Sequence, residues 1–112
     1  MDISVVIPTC NRKARLLSLL GNLDRSSHPL LEVIIVDSGE DRLAPADYAS
    51  FNNLNILYLA SEKSVCVQRN TGIRTARASW IFLCDDDVEM PPAYLQELAA
   101  HSQQHPEGDE LE

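Results

Sequence analysis

The segment ISVVIPTCNRKARLLSLLGNLD, residues 3–24, predicts the first unit of an α/β fold. Its β-branched run at residues 3–7, which Pro8 stops, is typical of a buried strand. A turn follows, in which Asn11 is the predicted N-cap of a helix. One face of that helix carries apolar residues at the i, i+3, i+4 and i+7 spacing of a buried stripe. These residues are Leu16, Leu19, Leu20 and Leu23.

Three further apolar runs predict strands of one parallel sheet. They are EVIIV at residues 32–36, NILYL at residues 55–59 and WIFLC at residues 80–84. Near-continuous Val, Ile and Leu residues are typical of parallel strands that are buried on both faces and connected by right-handed crossovers. The predicted fold class is therefore α/β, a Rossmann-like three-layer sandwich with about four parallel strands in the order 3-2-1-4.

The segments between the later strands are predicted as helix or loop. Residues 40–53 are polar and contain a proline, so we expect a loop with at most a short helix. Residues 64–78 show an imperfect helical pattern of small or apolar groups at positions 65, 66, 69, 73 and 76, in which Arg69 counts through the aliphatic stem of its side chain. Pro91 and Pro92 then open a last helix, because proline is favoured at a helix start.

Length and charge restrict the classes of function. The chain has 112 residues, enough for one domain, with 17 acidic and 9 basic side chains and a net charge of −8. This acidic balance argues against nucleic-acid binding, because phosphates need basic partners. No apolar run is long enough to span a membrane, and the N-terminal residues lack the positive region of a signal peptide. We therefore expect a cytoplasmic protein with reduced cysteine thiols.

A change in composition near residue 100 predicts a boundary. Residues 1–100 carry the strand and helix patterns and are expected to form one domain. Residues 101–112 are polar and acidic, without a core pattern, and predict a tail. The last two residues, 111–112, resemble a cloning scar.

Polar side chains follow three of the predicted strands. Thr9 follows the first, Asp37 the second, and Asp85, Asp86 and Asp87 the fourth. Sheets of this kind bind ligands beyond the carboxyl ends of their strands. Three adjacent carboxylates repel one another unless a cation compensates them, and Mn²⁺ or Mg²⁺ prefers such oxygen ligands. A solvated acidic turn before a helix start is the alternative, and the residues alone leave both open.

Four motifs occur in order along the chain. They are ISVVIPTCNR at residues 3–12, EVIIVDSG at residues 32–39, RNTGI at residues 69–73 and FLCDDD at residues 82–87. Together they resemble the successive motifs of family 2 glycosyltransferases, which have the GT-A (nucleotide-diphospho-sugar transferase) fold. The resemblance implies a truncated fold of this type, with residues 1–100 as its nucleotide-sugar-binding half.

The resemblance also implies a role for each matching residue. The implied nucleotide-binding set is Pro8, Thr9, Asn11, Asp37, Arg69, Asn70 and Asp85. Within it, Thr9 contacts the base or ribose, Asp37 accepts a hydrogen bond from the base, and Asp85 meets the ribose hydroxyls. Arg69 lies near the base or the phosphates, and Asn70 shapes a turn together with Gly72.

Asp86 and Asp87 are the metal ligands that the resemblance implies, for Mn²⁺ or Mg²⁺. Many family members have an aspartate where Cys84 stands, so the register of the DxD motif leaves Asp86 and Asp87 as alternatives for its second carboxylate. The residues alone also allow plainer roles. Thr9 and Asp37 can stabilise their turns, and Arg69 can form a surface ion pair. Arg12 and its basic neighbours are interpreted as solvated.

The activity that the resemblance implies is sugar transfer from a UDP-, GDP- or dTDP-sugar to a hydroxyl acceptor, with inversion and with a metal ion. No catalytic residue is identified, because the general base that the reaction needs lies downstream in the family. We therefore expect the chain to bind donor without full activity. An uncovered sheet edge predicts a homodimer. A longer protein is expected in the cytoplasm or peripherally at the cytoplasmic membrane.

Two other classes of protein use related sheets. A sugar-phosphate nucleotidyltransferase needs a Gly-rich loop with Arg or Lys after the first strand, which residues 8–11 lack. A receiver-type signalling module needs an acidic pair after the first strand and an aspartate after the third, and residues 8–9 and 59–61 exclude it. The nucleotidyltransferase and a non-catalytic nucleotide- or metal-binding module remain as alternatives.

Overall fold

The computed structural model describes residues 2–26, 29–86 and 110–111, which form layers of helix and parallel sheet. The strands are β1 (Ile3–Thr9), β2 (Glu32–Asp37), β3 (Ile56–Ala60), β4 (Trp80–Leu83) and β5 (Glu110–Leu111). The helices are α1 (Lys13–Asp24), α2 (Pro45–Tyr48) and α3 (Val65–Thr75). Neighbouring strands pair in parallel in the order β3-β2-β1-β4-β5, so the predicted order 3-2-1-4 is confirmed. The helix predicted from Pro91 lies outside the described residues.

Strand β5 extends the sheet beyond the four predicted strands. Glu110 pairs with Ile81 and Leu111 pairs with Phe82, so the sheet includes two residues of the segment that the sequence predicts as a polar tail. The pairing uses backbone N–H and C=O groups, and a two-residue strand has no side-chain periodicity to detect. The boundary that the sequence places at residue 100 stays a prediction.

Alternate residues of β1 face different helices. Ile3, Val5 and Ile7 pack against α1, whose buried residues are the four predicted ones, Leu16, Leu19, Leu20 and Leu23. Val6 points to the opposite face and lies under α3. Both β1 and β2 are buried along their whole length, which explains why neither alternates apolar with polar residues. None of the described helices has the length and hydropathy of a membrane span.

Strand β1 continues through Pro8 to Thr9, past its predicted end. The Val6 carbonyl accepts the Cys84 N–H at 2.9 Å, so Val6 faces β4, and Pro8, two positions further on, faces the same side. Pairing with β4 ends at Val6, so no hydrogen bond between β1 and β4 is lost because Pro8 has no N–H group. The other edge of β1 pairs with β2 as far as Thr9.

Helix α1 begins without the predicted cap. Its N-cap residue is Arg12, whose side chain makes no capping hydrogen bond. Asn11 has a φ of 54°, in the left-handed region that asparagine tolerates. Its Oδ1 accepts the Glu40 N–H at 2.8 Å and the Asp41 N–H at 3.0 Å. The prediction that Asn11 caps α1 is wrong, because its side chain stabilises the loop after β2 instead.

Helix α3 presents to the sheet a face that the sequence does not predict. Its buried residues are Gln68 and Gly72, whereas Val65 is 55% exposed and Cys66 is also exposed. A Cβ atom on Gly72 would overlap Val6 Cγ1 and would lie 3.2 Å from the other two side-chain carbons of Val6. Gly72 and Asn70 therefore lie inside a helix, not in the turn predicted for both. The missing side chain of Gly72 lets α3 pack directly on β1.

A buried carboxylate joins the strand starts at the edge of the sheet where β1 begins. The Glu32 side chain is 4% exposed. It accepts hydrogen bonds from Ser4 Oγ at 2.6 Å, from the Arg77 N–H at 2.7 Å and from Arg77 Nε at 3.1 Å. Burial by itself raises the pKa of this carboxyl group, but the hydrogen bonds from Ser4 and Arg77 outweigh burial, and the pKa is lowered. Ionised Glu32 therefore ties β1 and β2 to the segment between α3 and β4.

Substitution of Gly72 by alanine should destabilise the fold, because the added methyl group overlaps the buried Val6 side chain. We expect Gly72→Ala to lower the free energy of unfolding, measured by urea denaturation, by about 1–3 kcal/mol. Gly21→Ala is the matched control, because Gly21 also lies in a helix and its added Cβ would meet no atom closer than 3.4 Å. That variant should be neutral or more stable by up to about 1 kcal/mol. Equal losses in both variants would contradict the close packing of α3 on β1.

Acid should remove the contribution of Glu32. Its pKa is lower in the folded chain, so its ionisation stabilises the fold above the unfolded pKa of about 4.3, and this stabilisation is lost as the pH falls through the folded pKa. Glu32→Gln should therefore lower the free energy of unfolding by about 1–3 kcal/mol at neutral pH. It should also flatten the acid-side decline of stability in a series of denaturation curves. Glu40→Gln, at an exposed position, should keep a decline close to the wild-type one. If the stability of Glu32→Gln falls with acid as steeply as that of the wild type, ionisation of Glu32 does not stabilise the fold.

Candidate functional site

A cleft of about 380 Å³ opens at the carboxyl edge of the sheet, between the ends of β1 and β4 and the start of α3. Parallel strands bring their carboxyl ends to one edge, which is where sheets of this class bind ligands. The cleft is lined by Pro8, Thr9, Cys10, Arg12, Lys63, Val65, Gln68, Asp85 and Asp86. Two of these side chains are basic and two are acidic, so charges of both signs surround one space.

Asp86 is the buried charge of this cleft, at 5% exposure. Thr9 Oγ1 donates a hydrogen bond to its Oδ2 at 2.7 Å, and Arg12 Nη1 contacts its Oδ1 at 3.3 Å. A buried carboxylate needs such partners, since an unpaired charge away from water is costly. The short hydrogen bond from Thr9 in β1 therefore orients the Asp86 carboxylate, and Arg12, which precedes α1, compensates its charge.

The side chain of Gln68 aligns the strand ends beneath the cleft. Its Nε2 donates to the carbonyl oxygens of Thr9 at 2.9 Å and Val36 at 2.8 Å. The orientation of the amide follows from chemistry, because only its NH₂ group can donate to two carbonyls. Helix α3 is therefore hydrogen-bonded directly to the ends of both β1 and β2.

Asp85 forms an ion pair at the surface of the cleft. Its Oδ1 lies 3.5 Å from Arg69 Nη2, and the two side chains are 62% and 41% exposed, respectively. An exposed pair at this distance contributes little to stability, so both groups remain available to a ligand. Arg69 Nε is buried and has no hydrogen-bond partner among the described residues.

Asp37 is buried at the end of β2. Its Oδ1 accepts the Gly39 N–H at 2.8 Å, which is the turn interaction that the sequence allows as an alternative role, and its Oδ2 accepts the Tyr58 hydroxyl. The Tyr58 oxygen accepts the Leu43 N–H at 3.1 Å. Burial, followed by the hydrogen bond to Asp37, raises the pKa of Tyr58 to about 12. Asp37 therefore connects β2, β3 and the loop that precedes α2.

The structure brings only some of the predicted site residues together. Those that line the cleft are Pro8, Thr9, Asp85 and Asp86. Those that do not line it, in the part of the chain that the structure describes, are Asn11, Asp37, Arg69 and Asn70, although Arg69 contacts the lining residue Asp85. Asp87 lies outside the described residues. The binding roles of all these residues stay predictions.

Five lining residues are absent from the predicted set. They are Cys10, Arg12, Lys63, Val65 and Gln68. The sequence contains a signal that could have indicated Lys63, Val65 and Gln68 as lining residues. They lie at the start of a predicted helix that follows a parallel strand, and such a helix begins at the carboxyl edge of the sheet. Arg12, interpreted as solvated, is half-exposed and also pairs with Asp86, a partner that nothing in its local sequence indicates.

Asp85 and Asp86 have the chemistry that a hard divalent cation requires. Carboxylate oxygens suit Mn²⁺ and Mg²⁺. Within residues 2–26, 29–86 and 110–111, no three His, Cys, Asp or Glu side chains are grouped so that they could hold a metal ion together. A metal ion here would therefore complete its shell with water or with oxygen atoms of a ligand, which is the usual way in which Mg²⁺ is bound.

Comparison with known proteins identifies a family. The family model described as "Glycosyl transferase family 2" matches residues 4–110. The chain is 34% identical over 101 residues to the uncharacterized glycosyltransferase YwdF of Bacillus subtilis (strain 168), covering 88% of this chain and 37% of that protein. It is 37% identical over 107 residues to the validoxylamine A glucosyltransferase of Streptomyces hygroscopicus subsp. jinggangensis, covering 89% of this chain and 25% of that protein. The chain therefore spans well under half the length of these relatives.

Comparison with solved structures identifies a shared fold. The crystal structure of S. aureus TarS 1–349 matches with a TM-score of 0.82 at 23% identity, covering 95% of this chain and 33% of that one. The structure of the same protein in complex with UDP matches with a TM-score of 0.80 at 24% identity, covering 95% of this chain and 33% of that one. The order and direction of strands β1–β4 are thus shared with a larger protein.

Removal of the Tyr58 hydroxyl should destabilise the strand-end turn that holds Asp37. Tyr58→Phe deletes the donor to Asp37 and the acceptor for the Leu43 N–H, and should lower the free energy of unfolding by about 1–3 kcal/mol. Tyr48→Phe is the matched control, because the Tyr48 ring stacks on Tyr58 with centroids 6.1 Å apart and is retained in that variant. Urea denaturation of both variants measures the difference. If both variants lose the same stability, the hydrogen bond from the Tyr58 hydroxyl to Asp37 does not stabilise the fold in this way.

Proposed function

The chain belongs to glycosyl transferase family 2, as its four motifs predict, and we propose that it forms the donor-binding part of a glycosyltransferase with the GT-A fold. In this proposal the whole protein transfers a sugar from a nucleotide diphosphate to a hydroxyl acceptor, with inversion at the anomeric carbon. The observation that carries the proposal is the pair of carboxylates, Asp85 and Asp86, that share one cleft with Arg12 and Lys63 at the ends of β1 and β4.

The size and charge of the cleft suit a nucleoside diphosphate. Its volume of about 380 Å³ falls within the range of roughly 300–1,000 Å³ that is typical of small-molecule sites. Arg12 and Lys63 supply positive charge for the phosphates, and Arg69 lies beside the cleft. The exposed Asp85 carboxylate can accept hydrogen bonds from ribose hydroxyls.

We place the base and ribose along the ends of β1 and β2, against Pro8, Thr9 and Asn11. Asp37 then accepts a hydrogen bond from the base, a role that favours uracil or guanine because each presents an N–H donor. Both Asp37 oxygens accept protein hydrogen bonds, but a carboxylate oxygen has two lone pairs, so acceptor capacity remains. Asn70, next to Arg69 in the same motif, is assigned to the nucleotide-binding set by family membership.

UDP-sugars are the first choice of donor. TarS, which shares the fold, has been crystallised in complex with UDP and with UDP-GlcNAc. GDP-sugars and dTDP-sugars are the alternatives. The hydrogen bond to Asp37 would not separate UDP from dTDP, because thymine presents the same N–H donor as uracil.

We assign Mn²⁺ or Mg²⁺ to Asp86, with Asp87 as the alternative carboxylate of the DxD motif. When bound, the ion neutralises the negative charge of the leaving diphosphate. The protein's own contribution is orientation, because Thr9 Oγ1 holds Asp86 Oδ2 at 2.7 Å and Gln68 holds the Thr9 backbone. Asp85 remains for the ribose.

The general base is assigned to a part of a longer protein that this chain does not contain. An attacking hydroxyl must be deprotonated as it approaches the anomeric carbon, and the chain spans only 37% and 25% of the two relatives described above. In this proposal the chain alone binds donor and transfers no sugar. The homodimer and the cytoplasmic or peripheral membrane location stay predictions.

Binding of a nucleoside diphosphate should require both a divalent ion and Asp86. We expect isothermal titration with UDP, GDP and dTDP to show binding in Mn²⁺ and little in EDTA. Asp86→Asn should weaken binding by about 1–3 kcal/mol, the scale of a charged contact. Asp2→Asn removes the same charge at an exposed position before β1 begins and should bind like the wild type. Equal affinity in Mn²⁺ and in EDTA would overturn the metal assignment, and no binding of any of the three would overturn the donor-binding function.

A further inference from the structure

The two contacts of the Asp86 carboxylate differ in kind. Thr9 Oγ1 lies 2.7 Å from Oδ2, and both residues are buried. Arg12 Nη1 lies 3.3 Å from Oδ1, and the Arg12 side chain is 53% exposed. The first contact is a short hydrogen bond within the sheet, whereas the second is a long, half-solvated ion pair that exchanges easily.

Arg12 is well placed to exchange partners. Its backbone is the N-cap residue of α1, so the helix anchors it while the side chain lies in the cleft. Its side chain makes no capping hydrogen bond that it would lose by moving. A guanidinium group binds carboxylate and phosphate oxygens with the same planar fork, so either partner satisfies it.

The balance of charge in the cleft makes the exchange consequential. With Arg12 on Asp86 and Arg69 on Asp85, each carboxylate is compensated by one arginine. A divalent cation that binds Asp86 competes with Arg12 for the same carboxylate and repels the guanidinium. The arginine is then available in a cleft that has just gained positive charge, which is the condition that a diphosphate needs.

We propose that Arg12 is an exchangeable counter-ion: it neutralises Asp86 when no metal is bound, a divalent cation displaces it, and it then binds the diphosphate of the ligand. This inference rests on the proposed function. It adds a residue that acts both in the site without a metal ion and in the site with metal ion and diphosphate bound. Arg12 competes with the metal ion for Asp86 when no diphosphate is bound. Once the metal ion has displaced it from Asp86, Arg12 binds the diphosphate, and it thereby couples the two binding events. Each ligand then raises the affinity for the other by the same factor.

Arg12→Gln should therefore have opposite effects on the two ligands. With Mn²⁺ alone, measured by the loss of the free-ion EPR signal, the variant should bind about 2–5-fold more tightly, because the competing ion pair is gone. With UDP in saturating Mn²⁺, it should bind about 10–100-fold more weakly, because a charged contact to phosphate is gone. Uridine, which has no phosphate, should bind both proteins alike.

Two further variants serve as comparisons. Arg15→Gln removes the same charge from an exposed position of α1 that does not line the cleft, and should match the wild type in every titration. Arg12→Lys retains the charge but not the fork, and should stay close to the wild type for Mn²⁺ while losing UDP affinity. Thermal unfolding of each variant checks that the fold is retained, and the Arg12→Lys titrations decide the matter if Arg12→Gln does not fold.

Tighter Mn²⁺ binding together with weaker UDP binding in Arg12→Gln supports the exchange. Unchanged or weaker Mn²⁺ binding overturns it, as does a wild-type protein that binds no Mn²⁺. A change of the same sign for both ligands overturns it too. If the wild type binds Mn²⁺ but none of UDP, GDP and dTDP, the donor-binding function fails, and the role of Arg12 toward phosphate fails with it.

Discussion

The carbonyl groups of Thr9 and Val36 lie beside each other at the ends of β1 and β2, and the buried amide of Gln68 donates a hydrogen bond to both. Buried polar groups of this kind must be paired, so the helix that carries Gln68 cannot shift along the sheet without breaking two hydrogen bonds. Gly72, one turn further on, sets how closely the same helix approaches β1. Two residues of α3 thus determine where its first turn lies, and Lys63 and Val65 reach the cleft as a result.

Much of the fold follows from apolar patterns in the sequence. The leucine stripe of α1 and the uninterrupted strands β1 and β2 bury side chains whose hydrophobicity indicates their position. Helix α3 does not follow this rule, because its buried face consists of an amide and a glycine, and neither contributes to an apolar period. Its predicted core position Val65 is exposed, since it lies at the open cleft. Periodicity detects burial only where burial is hydrophobic.

The candidate site is predictable to the extent that it depends on topology. Because ligands bind at the carboxyl ends of parallel strands, the order of strands along the sequence is enough to locate Thr9, Asp85 and Asp86. The partners of these residues are not predictable in this way. Arg12 has the sequence context of a surface arginine, and its contact with Asp86 joins positions 74 residues apart. Asn11 has the context of a helix cap, but a loop 29 residues away offers it two backbone N–H groups. Long-range competition for a polar side chain leaves no local signature.

The hydrogen bond between Thr9 and Asp86 spans 77 residues, and this separation has a consequence for biosynthesis. Strand β1 leaves the ribosome well before its partner β4, which follows only after α1, β2, α2, β3 and α3 have been made. Until then, the edge of β1 that faces β4 in the folded chain has no neighbour of its own chain, although this strand is buried along its whole length in the fold. A high contact order of this kind slows folding, and an unpaired strand edge attracts other chains. Nascent chains that stall before residue 80 should therefore be more prone to aggregation, and more dependent on chaperones, than chains that have completed β4.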